Sequence, residues 1–317
     1  MRTQNAFQEE RDLLSHAFYL TLNWRSYLVQ CLGLFGALVL FHLFFEFASE
    51  SAQREWPRLR YVFLLLGFGV SYCWLSALNT LVVKIVDERM MGHLGVSAGL
   101  LHQFIDRHLS TMILLPAVCF AILVVVVFLL MVCAAIGQVP EVGNFLLAVL
   151  VVPMFAMGFF GFGVAYLGLF ELPALIGGEE TTPRQGLAEL HLMVRRSFSR
   201  LFFRHMLAIL SAVLIAVPLC VVSGTSLLLI DVVMKEITPT AIPSAQGGAP
   251  PVAAAQGLLQ HIFGFGPSFS RMVAYASLYV VLALVFALPV SFLSVAALTV
   301  NRAAQETLDE EQRAHLE

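Results

Sequence analysis

Six long apolar segments, separated by short polar connectors, dominate the pattern of hydrophobic and polar residues along this chain. A helix needs roughly 20 apolar residues to cross a hydrocarbon core ~30 Å thick, and within lipid only a helix satisfies its own backbone at that length. The pattern therefore predicts an all-α, polytopic integral membrane protein that forms one membrane domain over residues 1–317. The predicted spans are residues 27–48, 61–83, 111–136, 145–170, 205–233 and 272–300.

Amphipathic segments precede every second span and indicate an internal repeat. They cover residues 8–24, 95–110 and 183–203. Apolar side chains at intervals of three and four, with charged residues opposite, are typical of helices that lie at a membrane surface. We therefore predict three helical hairpins, each preceded by an interfacial helix, around an approximate threefold axis along the membrane normal. Residues 238–257 are rich in Pro, Ala, Gly and Ser without periodicity, which predicts a flexible outer loop.

Composition and charge place this domain in a membrane and set its orientation. The chain is 59% hydrophobic and 12% charged, with a mean hydropathy of +0.84, whereas soluble domains carry roughly 25% charged residues. Most Lys and Arg residues fall in connectors on the side of the N-terminus, so the positive-inside rule predicts that both termini are cytoplasmic. A net charge of −3 and the lack of a cytoplasmic domain argue against nucleic-acid binding.

The polar residues inside the predicted spans are better functional candidates than any enzyme motif. The sequence holds no HExxH, GxSxG, Walker A or Gly-rich dinucleotide motif, so we expect neither catalysis nor a cofactor or metal. Glu171 lies in apolar sequence near the inner end of the fourth span, and Asn79 occupies the matching place in the preceding repeat. An intramembrane carboxylate is a functional candidate by default. In the functional alternative, Glu171 binds a ligand or a proton. In the structural alternative, it is a carboxylate that is protonated or paired with Asn79 or a nearby Arg.

A short basic run beside the fifth span is the strongest surface charge. Such a segment attracts anionic lipid by ~1 kcal/mol per residue. The run predicts contact with anionic lipids or with a partner protein, and it also serves as a topology signal. It consists of Arg195, Arg196, Arg200 and Arg204.

The connector between the fourth and fifth spans resembles a known family. Residues 170–176 read Phe-Glu-Leu-Pro-Ala-Leu-Ile, an acidic turn follows at 178–180, and residues 183–190 begin an amphipathic segment that ends in the basic and aromatic residues of 194–198. This arrangement is similar to the bacterial six-span membrane domains of the YciC-like and glycerophosphoryl-diester-phosphodiesterase membrane-domain type. The resemblance implies a bacterial inner-membrane protein. Some relatives carry a soluble phosphodiesterase domain, which this sequence does not hold, so that activity is not carried over.

These observations favour a non-enzymatic inner-membrane protein that acts as a scaffold or accessory subunit of a membrane assembly. Its expected partners are membrane lipids, anionic ones above all, and other membrane-protein subunits. The alternative is a transporter or lipid-handling protein with a site among the proline-containing spans, for which polar groups should converge at mid-membrane. A membrane-embedded enzyme is the third possibility.

Overall fold

The computed structural model of the protein describes residues 2–53, 58–92, 96–136, 138, 143–179, 202–225 and 267–314. Within these ranges all regular structure is helical. The elements are α1 (Arg2–Thr21), α2 (Trp24–Gln53), α3 (Leu59–Met90), α4 (Ala98–Ile136), α5 (Gly143–Tyr166), a π-helical turn (Leu167–Glu171), α6 (Leu172–Glu179), α7 (Phe202–Thr225) and α8 (Pro267–Ala314).

Six helical segments are long and apolar enough to cross a membrane, which confirms the predicted all-α polytopic architecture. The fourth is composite, because α5 continues through the π-helical turn into α6 without a break. The predicted outer loop at 238–257 lies outside the described residues, and the assignment of the whole chain to one domain stays a prediction. The six segments are Trp24–Ser51, Leu59–Met90, Ala98–Ile136, Ala148–Gly178, Phe202–Thr225 and Met272–Ala304.

The three predicted interfacial segments differ from one another. The first is a separate helix, α1, which ends before a turn at Asn23. The second is helical but continuous with the third span, since no Gly or Pro interrupts residues 100–115. The resulting 39-residue helix α4 is about 58 Å long at 1.5 Å per residue, so its first turns extend past the hydrocarbon core. The third segment lies almost wholly outside the described residues, and the threefold arrangement stays a prediction.

Helix α8 is the centre of the bundle. Half of its membrane-spanning window is buried, compared with 6% for the span that contains α5. Small residues along α8 let the neighbouring helices approach closely. The tightest packing lies where α3 and α8 end and α4 and α7 begin, and we call this the packed end. Its core joins α1, α3, α6 and α7 to α8 through Ala17, Leu20, Val83, Val86, Ala174, Ala208, Ala212, Phe292 and Val295.

The α4–α5 hairpin is packed differently. Helix α5 approaches α4 closely at Gly161, where a Cβ atom would lie 3.2 Å from Cγ1 of Val126. No element of the described part of the chain covers the opposite side of α5, and Val152 and Phe155 are 74% and 76% exposed. Apolar side chains that are this exposed within a membrane span face lipid or another protein.

Candidate functional site

The π-helical turn is the local feature on which the polar side chains of the packed end converge. A π turn replaces i→i+4 hydrogen bonds by i→i+5 bonds and is often found at functional sites. Three polar residues of α3 at positions 72, 76 and 79 share one helix face and donate to backbone carbonyls at the turn. These bonds run from Tyr72 Oη to the Ala165 carbonyl (3.2 Å), from Ser76 Oγ to the Gly168 carbonyl (2.7 Å) and from Asn79 Nδ2 to the Leu169 carbonyl (2.6 Å).

Gly168 permits this close approach of α3. A Cβ atom on Gly168 would lie 2.0 Å from Oη of Tyr72 and 3.0 Å from Cβ of Cys119. Any larger residue would push α3 and α4 away from the turn, so the glycine follows from the packing rather than from backbone flexibility.

Glu171 closes the π turn and lies in a cluster of four polar side chains, of which Glu171 and Asn301 are buried and Tyr166 and His205 are half-buried. It is 6% exposed. Asn301 of α8 donates through Nδ2 to Oε2 of Glu171 at 3.1 Å. His205 of α7 places Nε2 3.1 Å from Oε1, an ion-pair distance, and its Nδ1 lies 3.3 Å from Oη of Tyr166 in α5. We call Tyr166, Glu171, His205 and Asn301 the Glu171 cluster.

In the Glu171 cluster, the tautomer of His205 with its proton on Nε2 can donate to Oε1 of Glu171, and its Nδ1 accepts from the Tyr166 hydroxyl. This tautomer is a neutral imidazole; only a doubly protonated ring would make the contact an ion pair, and Nδ1 would then donate to Tyr166. A buried carboxylate is costly unless it is paired or hydrogen-bonded, and here Asn301 and His205 supply hydrogen-bond donors. The cluster therefore fixes α7 and α8 to the π turn, and it offers a protonatable pair inside the bundle.

The structure brings the two predicted intramembrane residues to the same turn but gives them different partners. Asn79 bonds the Leu169 carbonyl and accepts a 3.0 Å hydrogen bond from Nε2 of Gln30 in α2. Glu171 was expected to pair with Asn79 or an Arg of the basic run, or to be protonated; among the described residues its side chain meets Asn301 and His205.

The predicted basic run is only partly described. Arg195, Arg196 and Arg200 lie outside the described residues, whereas Arg204 is 7% exposed at the start of α7. The contact of the whole run, Arg204 included, with anionic lipids or a partner protein stays a prediction.

Sequence inspection missed His205, Asn301 and Gln30 as members of this polar core. Asn301 directly follows the predicted sixth span, and His205 is the first residue of the predicted fifth. Polar residues at span ends are common, so neither position indicated a buried site. No local spacing connects positions 171, 205 and 301. Only the packing of α7 and α8 against the π turn does so.

Two further ion pairs lie at the packed end, one within α3 and one between α3 and α8. Nζ of Lys84 lies 2.9 Å from Oε1 of Glu88, one turn later in α3, and 5.6 Å from the ring centre of Phe104 in α4. Asp87, which is fully buried, bonds Arg302 of α8. These contacts tie the end of α3 to both α4 and α8.

Taken together, the fold and this site define a multi-pass α-helical membrane protein with a polar, π-turn-centred core. Among the described residues, no three His, Cys, Asp or Glu side chains are grouped as ligands of a metal ion. No protein-family model, curated protein or solved structure matches this chain.

Proposed function

We propose that this is a non-enzymatic protein of the bacterial inner membrane that acts as a scaffold or accessory subunit of a membrane assembly. In this proposal both termini lie in the cytoplasm. The excess of Lys and Arg in the connectors on the side of the termini supports that orientation. Anionic lipids are the proposed partners. The sequence of the connector at residues 170–198 supports a relationship to the YciC-like membrane domains.

An uncovered side of α5 is the observation that carries this proposal. Residues 151, 155, 158 and 162 recur at helical spacing and form one stripe, which we call the α5 face. Its apolar side chains are exposed by 54% at Val151, 76% at Phe155 and 51% at Phe162. A Cβ atom on Gly158 would meet no atom of the described part of the chain within 4 Å. A small residue between large apolar ones allows the backbone of a second membrane helix to approach closely, so the α5 face suits a partner subunit.

Site-specific crosslinking in native membranes tests this proposal. A photoreactive phenylalanine analogue at Phe155 should give one discrete crosslinked protein band. The same analogue at Leu114 of α4, which is 58% exposed, should give lipid adducts only. If both positions give only lipid adducts, the α5 face is a lipid-contacting surface and the scaffold proposal fails.

A substitution at Gly158 supplies the matched genetic test. Gly158→Leu fills the gap in the α5 face, and no atom of the described residues lies within 4 Å of the new Cβ atom. We expect the Phe155 crosslink and the co-purification of its partner to be lost, while the Tm in detergent stays unchanged. A retained crosslink in this variant would contradict the assignment of the α5 face as the contact.

The Glu171 cluster favours a second candidate, a proton-linked carrier. The buried carboxylate of Glu171 beside His205 at a π turn supports a proton-binding role. In proteoliposomes containing a pH-sensitive dye, such a carrier would dissipate an imposed pH gradient faster than empty vesicles do. Glu171→Gln would abolish this flux. Equal rates with and without the protein would count against the candidate.

A further inference from the structure

Two pairs of side chains from α2 and α8 meet at the end of the bundle opposite the packed end. His42 and Glu46 lie one turn apart on α2, and Tyr275 and Tyr279 lie one turn apart on α8, so each pair shares one face of its helix. The ring centre of His42 is 4.5 Å from that of Tyr275 and 5.6 Å from that of Tyr279. The two tyrosine rings are stacked with their centres 6.1 Å apart. The three rings therefore contact one another, and together with Glu46 we call them the Tyr275 cluster.

The opposite directions of α2 and α8 bring the carboxylate to the rings. Because the Cα–Cβ bonds of a helix tilt towards its N-terminus, Glu46 leans back along α2 towards His42. By the same rule, Tyr279 leans back along α8 towards Tyr275. Oε1 of Glu46 accordingly lies 3.5 Å from Nε2 of His42, and its charge is close enough to act on Tyr279. One carboxylate and three rings thus converge between the two helices.

The Tyr275 cluster is accessible from one side. The side chain of His42 is 22% exposed and that of Glu46 is 50% exposed, while both tyrosines are half-buried. A ligand can therefore reach the carboxylate and still touch the rings. The cluster lies towards the ends of the membrane-spanning segments Trp24–Ser51 and Met272–Ala304, and tyrosine in such a position is typical of the headgroup level of a bilayer.

We propose that the Tyr275 cluster binds an organic ammonium group. The face of an aromatic ring attracts a cation through its quadrupole, and aromatic side chains around a cation are a known means of recognising ammonium ligands. Glu46 adds a full negative charge. Such a ligand needs no directed coordination, whereas a metal ion would need further oxygen or nitrogen ligands, and the described residues contain no group of three His, Cys, Asp or Glu side chains.

Two sources carry an ammonium group to this level of the membrane. One is the headgroup of a zwitterionic lipid such as phosphatidylethanolamine, and the other is a soluble amine. Both would present the same charge to the same rings. This site goes beyond the proposed function and does not depend on it, because neither the α5 face nor the Glu171 cluster contributes to it.

Binding to the purified full chain in neutral detergent distinguishes the two sources. Native mass spectrometry compares phosphatidylethanolamine with the same lipid acetylated on its amine, which has no ammonium charge. Calorimetric titration with choline in the absence of added lipid measures the soluble source. We expect the unmodified lipid to bind more tightly than its acetylated form. Choline binding without that lipid preference would assign the site to a soluble amine. Equal binding of the two lipids together with no choline binding would overturn the proposal.

Substitutions in the Tyr275 cluster locate the site. Tyr279→Leu removes one ring face and should weaken binding of the preferred probe about two- to fivefold, whereas Tyr279→Phe keeps the face and should bind normally. Glu46→Gln removes the charge from a half-exposed side chain, so it should weaken binding without altering the Tm. The matched control is Tyr61→Leu, at a tyrosine of α3 that is 72% exposed.

These variants also define how the proposal fails. Unchanged binding by Glu46→Gln would place the ammonium group elsewhere, and this variant decides the question even if Tyr279→Leu does not fold. An equal loss in Tyr61→Leu would show that any interfacial tyrosine serves as well. A loss in Tyr279→Phe as large as that in Tyr279→Leu would show that the hydroxyl, and not the ring face, makes the contact.

Discussion

At the scale of single residues, Glu171 shows how a carboxylate is accommodated in an apolar bundle. A charged group at mid-bilayer costs roughly 2.5–3.5 kcal/mol on insertion scales. Glu171 lies 6% exposed beside His205 and Asn301. These neighbours come from helices far along the chain, so the carboxylate stabilises the assembly of α7 and α8 around the π turn as well as being stabilised by it.

Two substitutions at Glu171 separate a structural from a proton-binding role. Glu171→Gln keeps the acceptor oxygen for Asn301, so the Tm in detergent should fall little. Glu171→Leu leaves Asn301 and His205 without their partner, which should cost about 1–3 kcal/mol for each buried polar group and lower the Tm clearly. Asp106→Leu is the control, because that side chain is 65% exposed. If Glu171→Leu is as stable as this control, the structural role is refuted.

At the scale of elements, side chains of α3 hold the π turn. Because the turn depends on these distant residues, its own sequence did not predict it. The apolar run from α5 to α6 predicts a continuous span, and the structure confirms one. The widened turn at 167–171 depends on donors from Tyr72, Ser76 and Asn79, which lie some 90 residues earlier. Hydropathy reports a segment's length and apolarity, but not which backbone carbonyls a neighbouring helix will bond.

Gly168 gives the test at this scale. Gly168→Ala places a Cβ atom 2.0 Å from Oη of Tyr72, and overpacking of this kind costs typically 1–3 kcal/mol. We expect a lower Tm in detergent. Tyr72→Phe in the same chain removes the hydroxyl that clashes and should restore part of the loss. Absence of any rescue would show that the contact with Cys119, or a shift of α3, determines the cost instead.

At the scale of the whole molecule, the six spans were predictable and their mutual packing was not. Length and apolarity are local properties, so each predicted span overlaps a helix of the described residues, although residues 226–233 of the fifth predicted span lie outside them. The interfacial segment at 95–110 and the span at 111–136 were predicted as two elements, and the structure joins them in the single helix α4. The polar core was predicted only at Glu171 and Asn79. Asn301 and Glu171 are 130 positions apart, and no pattern in a single sequence connects them.

Orientation is the last prediction at this scale. An even number of spans returns the chain to its starting side, and the basic connectors on that side predict that it is cytoplasmic. In a variant without its native cysteines, Ser244→Cys should react with a membrane-impermeant thiol reagent added to the periplasmic side. Thr307→Cys should react only after the membrane is opened or inverted. This orientation also predicts that the packed end, with its Glu171 cluster, lies on the cytoplasmic side of the membrane. Labelling of Ser244→Cys from the cytoplasmic side alone would contradict both predictions.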